Sequence, residues 1–161
     1  MRNWFPLAML TMALPAMAQT PSQPVLYASP ADVASAAARS KAAASLSAEV
    51  LVALPPLRLS VEYRGKPTPA SVHEKNNELI NVVDGAGTLT VGGTLIEEKR
   101  RDATNLTGTG IAGGLSYTLV KGSYMFIPAG MPHHFSSVGN DGLVITTIYI
   151  PTVQCRTPPF I

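Results

Sequence analysis

The hydrophobic pattern changes once along the chain, from a helical segment to a long series of short strands. An alanine-rich run at residues 31–44 has strong helix propensity but only a weak apolar stripe. Ser29 can cap this helix, Pro30 suits its first position, and Asp32 can bond back to the cap. We therefore predict a helix that packs on the outside of a larger unit.

From residue 49 onward the apolar positions recur with the period of a β-strand. Residues 57–63 alternate apolar and polar side chains, which is the pattern of a half-buried strand. Further strands are predicted at residues 50–53, 79–83, 88–91, 94–96, 116–120, 124–127, 134–138 and 143–150. Asp84-Gly85 predicts a hairpin turn, and residues 102–114, rich in Gly, Thr and Asn, predict a long loop. Many short strands at close spacing indicate a β-sandwich or a small barrel.

The first residues have the pattern of a secretory signal peptide. Arg2 precedes an apolar stretch at residues 4–14, and the small residues Ala16 and Ala18 provide a cleavage site. The stretch is too short to span a bilayer, although an ordinary buried helix is the alternative interpretation. We expect an exported protein, periplasmic or secreted, that has no contact with a membrane after cleavage.

We accordingly divide the chain into four parts. These are a signal peptide at residues 1–18, a linker and helix at 19–48, a β-barrel at 49–151 and a C-terminal tail at 152–161.

Composition narrows the class of protein. Apolar residues make up 46% of the chain and charged residues 14%, which excludes wholesale disorder. The net charge is +2 and the only basic run is at residues 99–101, so nothing suggests a nucleic-acid partner. The single cysteine, Cys155, excludes an internal disulfide framework and a multi-cysteine zinc site. An incidental thiol is the simplest interpretation of Cys155, and an intermolecular disulfide stays open.

Three histidines and one glutamate are the candidates for metal chemistry. His73, His133 and His134 each lie beside a turn next to a predicted strand. Glu78 begins an otherwise apolar strand, where burial of a carboxylate is costly unless it is paired or coordinated. Imidazole and carboxylate groups are common ligands of transition metals, whereas pairing of Glu78 with Lys or Arg is the alternative.

Two segments of the chain carry these residues at a spacing that resembles the two signature motifs of the cupin family. The first segment matches at Gly65, His73, Glu78 and Gly85, and the second matches at Gly122, Pro128, Gly130 and His133. The resemblance covers residues 57–151. It implies an all-β, cupin-like β-barrel of the jelly-roll type with two antiparallel sheets, to which the predicted helix adds a short N-terminal arm.

The resemblance also implies a ligand set. Cupins that bind metal typically use two histidines and a glutamate from the first motif and one histidine from the second. Carried over position by position, these are Ser71 in place of the first histidine, then His73, Glu78 and His133. We expect one divalent transition metal ion (Fe, Mn, Ni, Zn or Cu), and a metal-free cupin stays open because Ser71 removes one ligand.

Two further readings of the motifs stay open. Ser137 stands where the second motif closes on asparagine, and an alternative register makes His73 the first histidine and Lys75 the second. Adjacent residues on a strand point to opposite faces, so only one of His133 and His134 can face the barrel. The motif spacing selects His133, which leaves His134 as a surface or supporting residue.

For function, we expect a metal-dependent enzyme of the dioxygenase, isomerase or lyase type that acts on a small organic molecule. Tyr124 or Glu74 would supply the general acid or base. The alternative is a non-catalytic cupin that binds a small ligand or the metal itself. The resemblance further implies a homodimer through an edge strand or an exchanged N-terminal arm, for which the strand at residues 57–63 is the natural edge.

Overall fold

The computed structural model describes residues 25–43 and 46–152. The predicted signal peptide at residues 1–18 and the tail with Cys155 lie outside the described residues, so both expectations stay predictions. Within the described ranges, the one helix is neither long nor apolar enough to cross a membrane.

The described residues form one helix and eleven strands. The helix is α1 (Pro30–Ala42). The strands are β1 (Leu46–Leu54), β2 (Leu57–Arg64), β3 (Ala70–His73), β4 (Asn76–Val91), β5 (Thr94–Ile96), β6 (Lys99–Asp102), β7 (Asn105–Gly108), β8 (Gly110–Ala112), β9 (Leu115–Val120), β10 (Tyr124–Ile127) and β11 (His133–Pro151). The all-β fold with a short N-terminal helix is confirmed.

Helix α1 begins where the sequence predicts. The Ser29 hydroxyl accepts a hydrogen bond from the backbone N–H of Asp32, and the Asp32 carboxylate accepts one from the backbone N–H of Ser29. This reciprocal pair satisfies two of the N–H groups that a helix start leaves free. Ala36 is fully buried against Val61 and Val144, so the helix covers the outer face of the sheet.

Two long strands, β4 and β11, hold the sheet architecture together. They pair with each other along nearly their whole lengths, and every strand pairing is antiparallel. The first half of β4 and the second half of β11 lie in one layer with β1, β2 and β10. Their other halves lie in a second layer with β3, β6, β7 and β9, while β5 and β8 form a separate pair.

The main core lies between these two layers. It consists of buried apolar side chains from both halves of the long strands and from β9 and β10: Ile80, Val82, Leu89, Leu119, Ile127, Phe135, Leu143 and Ile145. Residues from both layers pack in one cluster, and the cavity described below lies beside this apolar core, with Phe135 in its wall.

Three details of the sequence interpretation are wrong. Asp84-Gly85 does not form a hairpin turn, because β4 continues through both residues. Gly85 is needed there, since its φ is 78° and a Cβ would lie 2.0 Å from the Gly142 carbonyl oxygen. The expected loop at residues 102–114 contains β7 and β8. Strand β2 is not an edge, because it pairs with β1 on one side and β11 on the other.

Candidate metal centre

Three side chains from three strands converge at one point inside the fold. His73 is the last residue of β3, Glu78 is near the start of β4, and His133 is the first residue of β11. One potential ligand atom from each lies within 4.8 Å of the others. The Glu78 Oε2 atom is 3.2 Å from His133 Nε2 and 3.6 Å from His73 Nε2. Two imidazoles and a carboxylate form a donor set suited to a divalent transition metal.

The outer nitrogen of each imidazole is held by an oxygen acceptor. His73 Nδ1 lies 2.5 Å from the side-chain oxygen of Asn105, and His133 Nδ1 lies 3.1 Å from the backbone carbonyl oxygen of Met131. These oxygens only accept, so each ring carries its proton on Nδ1. Nε2 of each ring, the atom that faces Glu78, is thereby the nitrogen left available to bind a metal.

Asn105 is itself fixed by a carboxylate. Its side-chain N–H group donates to both oxygens of Asp102, at 2.7 and 2.9 Å. A hydrogen bond from the backbone N–H of Thr104, together with the Asn105 amide, lowers the pKa of Asp102 to about 2. The sequence Asp102, Asn105, His73 is therefore a hydrogen-bonded chain that sets the orientation of one ligand from outside.

Glu78 supplies the observation that tests the fit of a cation. Its side chain is buried, and Oε2 has no hydrogen-bond partner among the residues that the structure describes. Burial alone would raise the pKa of this carboxyl, but the imidazoles of His133 and His73 outweigh burial and lower it. A buried carboxylate oxygen that lies 3.2 and 3.6 Å from two imidazole nitrogens fits a divalent cation, which would balance its charge in the absence of water.

Burial favours the neutral form of the His73 imidazole. It lowers the pKa of His73, although the hydrogen bond to Asn105 and the charge of Glu78 act in the opposite direction. Neutral imidazole is the form that coordinates a metal, so the site does not have to release a proton from His73 near neutral pH.

The three ligands lie in the wall of a cavity of about 460 Å³. Its lining residues come from seven strands and one loop: Leu46, Ser47, Ala48, Glu62, Arg64, Thr68, Pro69, Ser71, His73, Glu78, Arg101, Thr107, His133, Phe135 and Tyr149. This volume suits a small organic molecule. A larger groove of about 550 Å³ lies outside, but His134 is the only candidate ligand that lines it.

Polar groups of the cavity face the metal ligands. Glu62 and Arg64 form an ion pair at 2.8 Å with about nine-tenths of each side chain buried. Burial, more than any neighbouring charge, raises the pKa of Glu62. Tyr149 contacts His73 edge to face, with ring centroids 4.9 Å apart, and burial raises the pKa of its hydroxyl. The cavity thus offers a buried acid and a neutral phenol beside the three ligands.

The structure places the two adjacent histidines of the second motif, His133 and His134, on opposite faces of the strand. His133 is buried and faces the cavity, whereas His134 lies on the opposite face and lines the outer groove. Ser71, which pairs with His133 across the sheet, also lines the cavity. The place of the fourth ligand is therefore a small hydroxyl on the cavity wall.

The two residues expected to supply a general acid or base are placed elsewhere. Tyr124 is 71% exposed and lies in a groove beside α1, because its side chain projects from the outer face of β10. Glu74 is in the turn after β3 and pairs with Arg100 at 2.8 Å. Neither residue lines the cavity, so their expected position at the pocket is wrong.

The sequence interpretation did not include four polar residues of the cavity wall, Glu62, Arg64, Arg101 and Tyr149, or Asn105, which lies behind His73. The missed signal is in β2, whose apolar residues face outward to α1 and whose polar residues face the cavity. Two charged residues at alternate positions of a strand that is covered on both faces would have indicated a polar interior.

Comparison with known proteins informs the fold only. No family model matches the chain, and no curated protein matches it. Among solved structures, the cupin domain of Cnp3 from Schizosaccharomyces pombe matches with a TM-score of 0.50 and 14% identity, over 66% of this chain and 61% of that chain.

Two other solved structures match at a lower TM-score. HppE with Fe(II) has a TM-score of 0.48 and 17% identity, over 66% of this chain and 50% of that chain. KdgF from Halomonas sp. has a TM-score of 0.47 and 18% identity, over 68% of this chain and 82% of that chain. The match therefore covers less than two thirds of the length of the Cnp3 domain chain and of the HppE chain. The likeness to the Cnp3 domain concerns the fold alone: this chain has the two-layer antiparallel fold of that cupin domain.

Proposed function

We propose that this protein is a metal-dependent enzyme that acts on a small organic molecule in the cavity. The observation that carries the proposal is the convergence of His73, Glu78 and His133, with both imidazole Nε2 atoms turned toward an unpartnered carboxylate oxygen. Two imidazoles and one carboxylate are a donor set that divalent transition metals take in proteins.

A divalent metal held by these residues would polarise a substrate oxygen or bind a second reactant at an open position. Ser71 leaves room for that position because its side chain is small. Glu62 is the residue best placed to hold or accept a proton, since it is buried in the same cavity and its pKa is raised. Tyr149 orients the ring of His73 by edge-to-face contact.

The reaction type that we propose is that of a dioxygenase, an isomerase or a lyase. These reactions share the need for a substrate oxygen next to a Lewis acid in a site that is shielded from bulk water. Iron or copper in the site would favour oxygenation, while manganese, nickel or zinc would favour isomerase or lyase chemistry.

The first experiment is elemental analysis of protein purified without chelator, in three forms. We expect about one metal ion per chain in the unaltered protein and in His134→Ala, and a loss of roughly nine-tenths of it in His133→Ala. His134→Ala is the matched control, because it removes an imidazole from the adjacent residue on the opposite face. Equal loss in both variants would contradict the ligand assignment.

A second candidate function is a non-catalytic binder of a small ligand, and Ser71 is the observation that favours it. A site with three protein ligands holds metal less firmly than one with four. If the protein takes up none of the candidate ions and still binds small molecules in the cavity, the binder replaces the enzyme as the better explanation.

A further inference from the structure

The cavity is lined by equal numbers of acidic and basic side chains. Among the described residues that line it, Glu62 and Glu78 are acidic and Arg64 and Arg101 carry permanent positive charges. With Glu62 ionised in its pair with Arg64 the four charges cancel, so a bound divalent cation would give the cavity a net positive charge, and protonation of Glu62 would increase that charge. A neutral substrate would gain nothing from this excess, whereas an anion would neutralise it.

Arg64 is held as a rigid donor in the cavity wall. Its Nη2 atom donates to Glu62 at 2.8 Å and its Nη1 atom donates to Thr68 at 3.0 Å. The guanidinium also stacks on Phe135, 4.0 Å from the ring centroid. Two of its five N–H groups are therefore used, and its orientation is fixed before any ligand arrives.

Arg101 brings the second positive charge to the mouth. Its side chain is about half exposed, with Nε 3.3 Å from Asp102, and it lines the cavity. Its neighbour Arg100 points away and forms an ion pair with Glu74 outside the cavity. The pairing of β6 with β7 shifts register between Arg100 and Asp102, and of the two arginines only Arg101 lines the cavity.

We propose that the ligand of this cavity is a small organic acid. One of its oxygen-bearing groups would lie at the metal, and a carboxylate would lie between Arg64 in the wall and Arg101 at the mouth. This inference rests on the proposed function for the metal end of the ligand. Planar guanidinium groups match the geometry of a carboxylate, which neutral cavity walls cannot offer.

The test uses malonate as the acidic probe and malonamide as its uncharged counterpart, each titrated calorimetrically into metal-loaded protein. We expect Arg101→Gln to weaken malonate binding about fivefold and to leave malonamide binding unchanged. Arg100→Gln is the matched control and should bind both probes as the unaltered protein does. Metal content, measured on the same samples, should be equal in all of them.

A double variant, Glu62→Gln with Arg64→Gln, tests the inner arginine without changing the net charge of the cavity. We expect it to weaken malonate binding about tenfold, because the fixed donors of Arg64 are lost. If malonate binds equally well to the Arg101→Gln and Arg100→Gln proteins, the inference is overturned.

The metal measurement separates the two proposals. A protein that holds metal but shows no arginine-dependent binding of malonate retains the proposed function and loses the organic-acid assignment. If no metal is retained, the proposed function fails, and the same titrations on the metal-free protein decide the inference. Malonate binding that depends on Arg101 would then support it, and absence of such binding would overturn it.

Discussion

At the scale of single residues, the outer hydrogen bonds of the metal ligands decide how well the site is prepared. Only His73 has a side-chain acceptor on Nδ1, and that acceptor, Asn105, is fixed in turn by the ionised Asp102. His133 relies on the backbone carbonyl of Met131, which no side-chain substitution removes. A substitution at Asn105 can therefore remove the hydrogen bond that orients His73, whereas no side-chain substitution removes the one that orients His133.

We predict that Asn105→Ala lowers metal affinity about 10- to 100-fold, because the His73 ring loses the acceptor that fixes its tautomer. Competition with a chelating dye measures the affinity. Asn140→Ala removes an exposed amide far along β11 and should match the unaltered protein. An Asn105→Ala protein with unchanged affinity would show that His73 needs no outer support.

Ser71 permits a gain-of-affinity prediction. The residue pairs with His133 and lines the cavity, so Ser71→His would add an imidazole where the cupin resemblance expects one. We expect the variant to lose metal to a chelator about tenfold more slowly than the unaltered protein, since four protein ligands hold a cation better than three. Ser71→Ala should behave as the unaltered protein. A Ser71→His protein that loses metal faster would mean that position 71 cannot reach the cation.

At the scale of elements, the sequence predicted the helix and most strands, but it could not predict which face of β2 is inside. The strand alternates regularly, yet Val61 is buried against α1 while Glu62 is buried at the cavity. Alternation reports that two faces differ, and it does not report which face meets water. The helix covers the apolar face, so the polar face was free to line a site.

The candidate site shows the same division between what spacing can and cannot predict. His73, Glu78 and His133 were predictable because the motif spacing places them at strand ends in the same barrel. Arg101 and Tyr149 were not, because they reach the cavity only through the pairing of β6 with β7 and of β11 with β4. Such long-range pairings leave no local pattern in the sequence.

The contact of α1 with the sheet gives a prediction at this scale. Ala36 is fully buried against Val61 and Val144, so Ala36→Leu overpacks the contact and should lower the free energy of unfolding by about 1–3 kcal/mol. Urea denaturation measures the change. Ala38 lies on the exposed side of the same helix, and Ala38→Leu should have an effect within about 0.5 kcal/mol. Equal effects would mean that the helix does not pack as described.

At the scale of the whole molecule, the metal ligands tie together parts of the fold that are distant in sequence. His73 ends β3, Glu78 lies near the start of β4, and His133 begins β11, 55 residues after Glu78. An unfolded chain does not hold these groups near one another, so a metal binds the native state in strong preference to the unfolded one. Binding must then stabilise the entire domain by mass action.

We therefore predict that a metal at about 100 times its dissociation constant stabilises the protein by about 2.7 kcal/mol. For a domain of this size, that free energy corresponds to a rise in Tm on the order of 5–10 °C. The rise should grow with the logarithm of metal concentration, and a thermal unfolding series measures it. His134→Ala should show the same rise, whereas His133→Ala should show almost none. A rise that survives in His133→Ala would place the cation somewhere other than this cavity, because the native state would then gain stability without its central ligand.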